Sequence, residues 1–317
     1  MVEIVVSVEQ RPLIVLAGPT ASGKTSLAIR LAQRFEGEIV SCDSVAVYRE
    51  MEIGTAKPTA SEREMVPHHL IDVAWPNEQV TAGDYSRLAR EALGGIVARG
   101  RIPIVAGGTG LYLRALIDGL FPAPQARPEL RERLRERAEK KGGAAHLHRV
   151  LTRLDRKAAE AIHPNDVPKV IRAIEVSLAE TPMTEQWKLG RDRLEGYRIL
   201  RLGLNPPRAR LYERINQRAA AMFDRGLIEE TARLIERYGR ECRALGSLGY
   251  AQAAAVLAGE MTREEAVAAA QQGHRNYAKR QLTWFRREPE MHWLAGLGGD
   301  EEVAVEAERL VEEHLRG

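Results

Sequence analysis

The sequence predicts an α/β protein, a parallel sheet core interrupted by a helical insertion domain, and three observations carry that expectation. Short apolar runs alternate with helical periodicity through residues 1–120, as in a parallel sheet joined by crossover helices. A charged stretch at 121–196 then reads as helical, with no strand signal inside it. Buried-strand character returns at Tyr197–Leu204. Residues 1–120 and 197–317 are therefore expected to form one core, with 121–196 inserted between them.

The elements follow in order. Leu13-Ile14-Val15-Leu16-Ala17 is the first strand, and Ser26-Leu27-Ala28-Ile29-Arg30-Leu31-Ala32 has the period of a helix. Between them lies Gly18-Pro19-Thr20-Ala21-Ser22-Gly23-Lys24-Thr25. Strand, G-x-x-x-x-G-K-T loop and helix are the context of a phosphate-binding P-loop, so the core is expected to be P-loop NTPase-like. The glycines let successive N–H groups converge on one anion, and the helix N-terminus adds partial positive charge. Lys24 supplies a mobile cation for the outer phosphate, and the Thr25 hydroxyl is placed to ligate Mg²⁺.

Glu38-Ile39-Val40-Ser41 reads as the second strand, His69-Leu70-Ile71-Asp72 as a short third and Ile102-Pro103-Ile104-Val105-Ala106 as a fourth. The fourth runs into Gly107-Gly108-Thr109-Gly110 and a helix at 111–116. Residues 128 to about 180 are helical, broken at Gly142-Gly143 and His163-Pro164-Asn165-Asp166. Beyond the fifth strand, helices are expected at 208–223, 226–238 and 263–287, then a last strand at Met291–Leu294 and an acidic helical tail.

The charge is uneven. Residues 1–120 hold 12 basic and 14 acidic side chains, residues 121–290 hold 33 and 23, and the last 27 hold 2 and 7. A neutral P-loop region beside a basic remainder suits a small phosphorylated substrate and a polyanion, unless the arginines merely solvate helix faces. Cys42 and Cys242 stand far apart with no C-x-x-C spacing, against a cysteine zinc site. There is no apolar stretch of membrane-spanning length, and Met1 to Gln10 lacks a basic n-region; a cytoplasmic protein is expected. Nothing demands an oligomer or an obligate protein partner.

Strand ends carrying Asp43, Asp72 and Thr109 fall where open α/β sheets bind ligands. Asp43 could orient Mg²⁺, accept a proton from a nucleophile, or cap the following helix. Asp72 is placed like the strand-end carboxylate that holds Mg²⁺ in P-loop proteins. Gly54 and Lys57 mark a loop able to approach a ligand. Adjacent His68 and His69 point apart in an extended segment and make no metal pair.

These segments occur together in a known order. The P-loop, Asp43-Ser44, Ile53-Gly54-Thr55-Ala56-Lys57-Pro58, Pro67-His68-His69-Leu70-Ile71-Asp72 and Gly107-Gly108-Thr109-Gly110-Leu111-Tyr112 resemble those of bacterial tRNA dimethylallyltransferases (tRNA isopentenyltransferases). So do His163-Pro164-Asn165-Asp166, Arg172-Ala173-Ile174-Glu175, Gly203-Leu204-Asn205, Gly249-Tyr250 and Ala278-Lys279-Arg280-Gln281-Leu282-Thr283-Trp284. The resemblance spans about residues 12–293. It implies transfer of the dimethylallyl group of dimethylallyl diphosphate to the exocyclic amine of the adenosine 3′-adjacent to the anticodon, in tRNAs reading U-starting codons.

By that resemblance Asp43 is the general base, Thr109 lies near the reacting centre, and Lys24 stabilises the leaving diphosphate. Gly18, Pro19, Thr20, Ala21, Ser22, Gly23, Lys24 and Thr25 hold the diphosphate, with Mg²⁺ on Thr25. The tRNA anticodon stem-loop is contacted by Asp43, Ser44, Val45, Ala46, Thr109, Arg131, Pro168, Lys169, Val170, Ile171 and Arg172. Arg214 and Arg218, four apart on one helix face, could serve diphosphate or tRNA, or be solvated. The family's pattern has glutamine where this chain has Ala46, which bears on substrate discrimination rather than on reaction type. The cysteine/histidine zinc module of eukaryotic relatives is absent, as in the compact bacterial type.

Three rival readings share some of these motifs: a small-metabolite kinase, an adenylate dimethylallyltransferase and a non-catalytic RNA-binding module. The first two have no use for the basic half.

Overall fold

In the computed structural model, which describes residues 10–121, 124, 127–179 and 182–317, the apolar run before the P-loop forms β1 (Arg11–Ala17). The chain continues through α1 (Lys24–Arg34), β2 (Gly37–Cys42), α2 (Ala60–Met65), β3 (His68–His69), α3 (Ala82–Ala98), β4 (Ile102–Gly107) and α4 (Gly110–Ile117). Five helices follow: α5 (Pro128–Glu139), α6 (Gly143–Leu154), α7 (Arg156–Ala161), α8 (Val167–Ala179) and α9 (Met183–Lys188). The sheet resumes with β5 (Tyr197–Leu204), then α10 (Arg208–Asp224), α11 (Leu227–Tyr238), a 3₁₀ turn at Arg243–Gly246, α12 (Tyr250–Leu257) and α13 (Arg263–Phe285). β6 (Met291–Leu294) and α14 (Glu301–Arg316) close the chain.

All strand pairs are parallel, in the order β3-β2-β4-β1-β5-β6. β1 lies between β4 and β5, with Ala17 in register with both Gly107 and Gly203. The P-loop therefore leaves the sheet beside the glycine loop that follows β4. Ile14, Leu16, Ile39, Ile104 and Leu202 face α1 and α14, which contribute Leu27, Leu31, Val303, Ala307 and Val311 to one buried cluster. The residues between them along the strands, such as Leu13, Val15 and Val105, face the other side and are also buried. Capping boxes at Thr59/Glu62, Thr81/Asp84 and Thr262/Glu265 start α2, α3 and α13 by satisfying otherwise orphaned N–H groups.

The expected third strand is corrected. Pairing stops at His69, because Leu70 and Asp72 take left-handed backbone angles, φ 61° and 57°. α12 was not anticipated: Tyr-Ala-Gln-Ala-Ala-Ala-Val-Leu lacks a sharp apolar stripe. It packs with α11, α13 and residues 45–56 around Met51, Phe223, Leu227 and Tyr250.

The chain divides into Met1–Ile117 with Glu195–Gly317, and Asp118–Leu194. The second unit has its own core of Leu147, Leu151, Val170, Ile171 and Ile174, with Leu134 and Trp187 against it. Asp155 ties its helices together, capping α7 through Ala158 N–H and accepting the Thr184 N–H at 2.8 Å. No described helix is long and apolar enough to cross a membrane.

Candidate active site

The P-loop is shaped by its backbone and by close packing. Gly23 caps α1 at φ 85°, and Ala21 also adopts the left-handed region at φ 61°. No side chain caps α1, and its first turn holds no acid, so its N–H groups and dipole are available to an anion. Lys24 folds over the loop, its Nζ donating to the Pro19 carbonyl at 2.6 Å. Burial lowers the Lys24 pKa to about 8; the Asp43 carboxylate opposes that shift and Arg218 reinforces it.

Lys24, Thr20 and Thr25 line a cavity of about 110 Å³ together with Asp43, Ala46, Gly107, Gly108, Arg218, Tyr277 and Gln281. Asp43 follows β2 and caps the next turn: Oδ1 accepts the Val45 and Ala46 N–H groups at 2.8 and 3.2 Å. Oδ2 has no hydrogen bond among the described residues, so capping and proton acceptance are compatible roles for one carboxylate. Thr109 Oγ1 accepts the Ser44 N–H at 3.0 Å and lies 3.4 Å from Ser44 Oγ. Ala46 is buried on the cavity wall.

Two residues here had not been singled out by sequence reasoning. Gln281 is 6% exposed; its Oε1 accepts the Thr20 N–H at 2.8 Å and its Nε2 donates to the Gly108 carbonyl at 2.9 Å. It fastens the P-loop to the second glycine loop. Tyr277, one turn earlier on α13, lines the same cavity as Asp43; burial first, then that carboxylate, pushes its pKa up to about 12. Their i, i+4 spacing on one helix was the available signal.

The second glycine loop is built for close approach. A Cβ at Gly107 would sit 2.0 Å from the Cys42 carbonyl, at Gly108 2.2 Å from Gln281, and at Gly110 2.3 Å from the Trp284 ring. Trp284 is half-buried and packs against this loop, with the Arg114 guanidinium 4.4 Å from its ring centre.

Arg214 and Arg218 project from α10 toward the P-loop. Arg214 Nε donates to the Ala21 carbonyl at 3.1 Å, and Arg218 Nη2 reaches the Thr55 carbonyl at 3.5 Å. Both line a second cavity of about 590 Å³ along Ala21, Ser22, Gly23, Lys24 and Thr25. Burial lowers the Arg218 pKa, with Asp43 opposing. Their position favours an anion at the P-loop over the other roles open to them.

Asp72 sits among cations: Oδ1 binds Lys57 Nζ at 2.5 Å and Oδ2 binds Arg63 at 2.7 Å, so both oxygens are engaged by cationic side chains. Lys57 lines the cavity, but its Nζ also donates to the Tyr48 carbonyl. Gly54 meets the Tyr250 ring, not open space. His68 and His69 diverge as expected, His68 to the Val66 carbonyl and His69 to Glu38. No group of three or more His, Cys, Asp or Glu suited to a metal occurs among the described residues.

In the helical unit, Arg131 forms a bidentate pair with Glu175 at 3.0 and 2.5 Å, and Arg172 approaches the same carboxylate at 3.6 Å. Glu175 is 3% exposed. Pro168 and Lys169 are exposed at the start of α8. Val170 and Ile171 belong to the core of the unit, their side chains turned inward. A helix can present Lys169 outward only by turning its neighbours inward.

Residues 46–288 match the IPP transferase family. The chain is 64% identical over 300 residues to a tRNA dimethylallyltransferase of Koribacter versatilis, covering 94% of this chain and 97% of that one. It is 52% identical over 294 residues to one from Solibacter usitatus, covering 92% and 95%. Among solved structures, a full-length tRNA isopentenylpyrophosphate transferase from Bacillus halodurans superposes with TM-score 0.72 at 38% identity, covering 97% of each chain. A eukaryotic dimethylallyltransferase acting on tRNA gives TM-score 0.76 at 27% identity, covering 90% of this chain and 74% of that one.

Proposed function

Since the chain belongs to the IPP transferase family and transfers a prenyl group to tRNA, we propose that its donor is dimethylallyl diphosphate and its acceptor the exocyclic amine of the adenosine 3′-adjacent to the anticodon, in tRNAs reading U-starting codons. One observation carries this reading: Asp43 and Tyr277 line one cavity with Lys24 of the P-loop, and Thr109 stands next to Asp43 through its bond to the Ser44 N–H.

The diphosphate lies along Gly18, Pro19, Thr20, Ala21, Ser22 and Gly23, against the open end of α1. Lys24, Arg214 and Arg218 balance the charge that grows on the bridging oxygen as the allylic C–O bond breaks. Asp43 Oδ2 takes the proton of the amine as its nitrogen bonds to the allylic carbon; diphosphate leaves with the bonding pair. Thr109 and Tyr277 hold that end of the cavity, excluding water from an electron-poor carbon. Ser44, Val45 and Ala46 line the approach of the base.

The donor set suits Mg²⁺, which keeps several waters and takes few protein ligands. Thr25 would hold it, and when bound it would supply further charge neutralisation on the diphosphate. Arg131, Lys169 and Arg172 contact the anticodon stem-loop, in a base-flipped complex. A cytoplasmic location follows from the substrate.

The test is an incubation of purified protein with unmodified anticodon stem-loop RNA and Mg²⁺, with dimethylallyl diphosphate in one tube and ATP in another. Mass spectrometry should show one prenyl unit gained in the first tube only, on the adenosine 3′ of the anticodon. A gain with ATP, or a prenyl unit elsewhere in the loop, overturns the reading.

A further inference from the structure

The segment Ile53-Gly54-Thr55-Ala56-Lys57-Pro58 lies outside every helix and strand, yet Thr55, Ala56, Lys57 and Pro58 wall the cavity that Asp43 also lines. A loop without ladder or helix bonds needs other partners to hold one geometry. Two buried side chains supply them. Glu230 on α11 is 4% exposed, and its two carboxylate oxygens accept the Ile53 N–H at 3.0 and 3.2 Å. Tyr250, the first residue of α12 and fully buried, donates its hydroxyl to Glu230 Oε1 at 2.6 Å and accepts the Gly54 N–H at 3.2 Å.

We infer that Glu230 and Tyr250 are positioning residues for prenyl transfer, a two-residue clamp that sets where residues 53–58 stand against the reacting centre. The inference rests on the activity proposed above. A buried carboxylate is costly, and these contacts satisfy it with neutral donors alone; an apolar pair would fill the same space without that cost. What the polar pair adds is direction: a satisfied buried network fixes one arrangement. Gly54 completes it, since a Cβ there would lie 2.3 Å from the Tyr250 ring.

From the clamp the contacts run on to the site. Thr55 Oγ1 donates to the Met51 carbonyl at 2.7 Å, and the Thr55 carbonyl receives Arg218. Releasing Ile53 and Gly54 therefore displaces the anchor of Arg218 and that stretch of the cavity wall, while leaving the P-loop and the helical unit unaltered.

The experiment uses full-length Tyr250→Phe, Glu230→Gln and Glu230→Leu. Phenylalanine keeps the ring but strands the Gly54 N–H, so kcat should fall about tenfold. Stem-loop RNA affinity should stay within about twofold of wild type, since no RNA contact is removed. Amide exchange at 53–55, read by mass spectrometry, should accelerate. Glu230→Gln keeps an acceptor oxygen and should retain most of the turnover that Glu230→Leu loses.

Unchanged kcat and exchange in Tyr250→Phe would overturn the clamp, as would equal losses in Glu230→Gln and Glu230→Leu, or RNA affinity falling in step with kcat. If Tyr250→Phe does not fold, the two Glu230 variants decide the matter. Absence of prenyl transfer in wild type would instead count against the proposed donor and acceptor, with the exchange data still judging the clamp.

Discussion

Gln281→Leu isolates one side chain that joins two loops. Leucine has similar bulk and no polar atoms, so the Thr20 N–H and the Gly108 carbonyl both lose their partner. Each buried group left unsatisfied costs about 1–3 kcal/mol. Thr20 and Gly108 border a cavity that admits water, so the lower part of that range applies, about 2–3 kcal/mol for the pair. A protein of this size should lose about 3–5 °C in Tm. Turnover should suffer more than stability. Thr20 lies in the loop assigned to the diphosphate, and a displacement near 1 Å costs about 100-fold in rate. Thermal unfolding by circular dichroism and steady-state prenyl transfer measure the two effects on one preparation. A Tm within about 1 °C and a kcat/KM within about twofold of wild type would refute the bridging role; both lie well below the effects estimated above.

Asp43→Asn keeps the cap on Val45 and Ala46 but removes the proton acceptor; kcat should drop about 10²–10⁴-fold with stem-loop affinity intact, and a variant retaining a tenth of wild-type kcat would remove Asp43 from the base role. The lowered pKa of Lys24, about 8 in the folded protein against its ordinary 10.5, makes two pH predictions. Between those values the unfolded chain binds more protons, so this group makes stability rise with pH across that window, measurable as a urea midpoint. Over the same range the free enzyme loses the ammonium that meets the diphosphate, so kcat/KM should fall above about pH 8; a limb persisting in Lys24→Arg would assign it elsewhere. Stem-loop affinity should decline steeply between about 50 and 200 mM salt, and Lys169→Ala should flatten the slope by about one counterion, seen by fluorescence anisotropy.

What could be read from the sequence was what the chain encodes locally. The P-loop is contiguous, so its glycines, Lys24 and the flanking strand and helix announce one another. β5 is a buried parallel strand, and its run of alternating large apolar residues ends where Pro206 and Pro207 forbid continuation. β3 was overestimated because an apolar pair, Leu70-Ile71, resembles a strand while its backbone turns to deliver Asp72 to Lys57 and Arg63. Gln281 lay beyond reach for a different reason. Its partner Thr20 is 261 residues away, and the i, i+4 spacing with Tyr277 marks a shared helix face without saying which loop that face will meet. The pairing of Arg131 and Arg172 with Glu175 was equally hidden, since that residue reads like any helix acid until burial is known.

The strand order has a consequence for how the molecule is made. β1 is flanked by β4 and β5, and the ribosome delivers these neighbours far apart. Once β4 has emerged, roughly a hundred residues, helical insertion included, must be synthesised before β5 is complete. At ordinary elongation rates that interval is about 5–20 s. Throughout it the strand that leads into the P-loop has a bare edge open to any extended chain nearby. The nascent protein must guard this apolar strand for that time, so overexpression or slowed translation between residues 107 and 204 should be where yield is lost to aggregation.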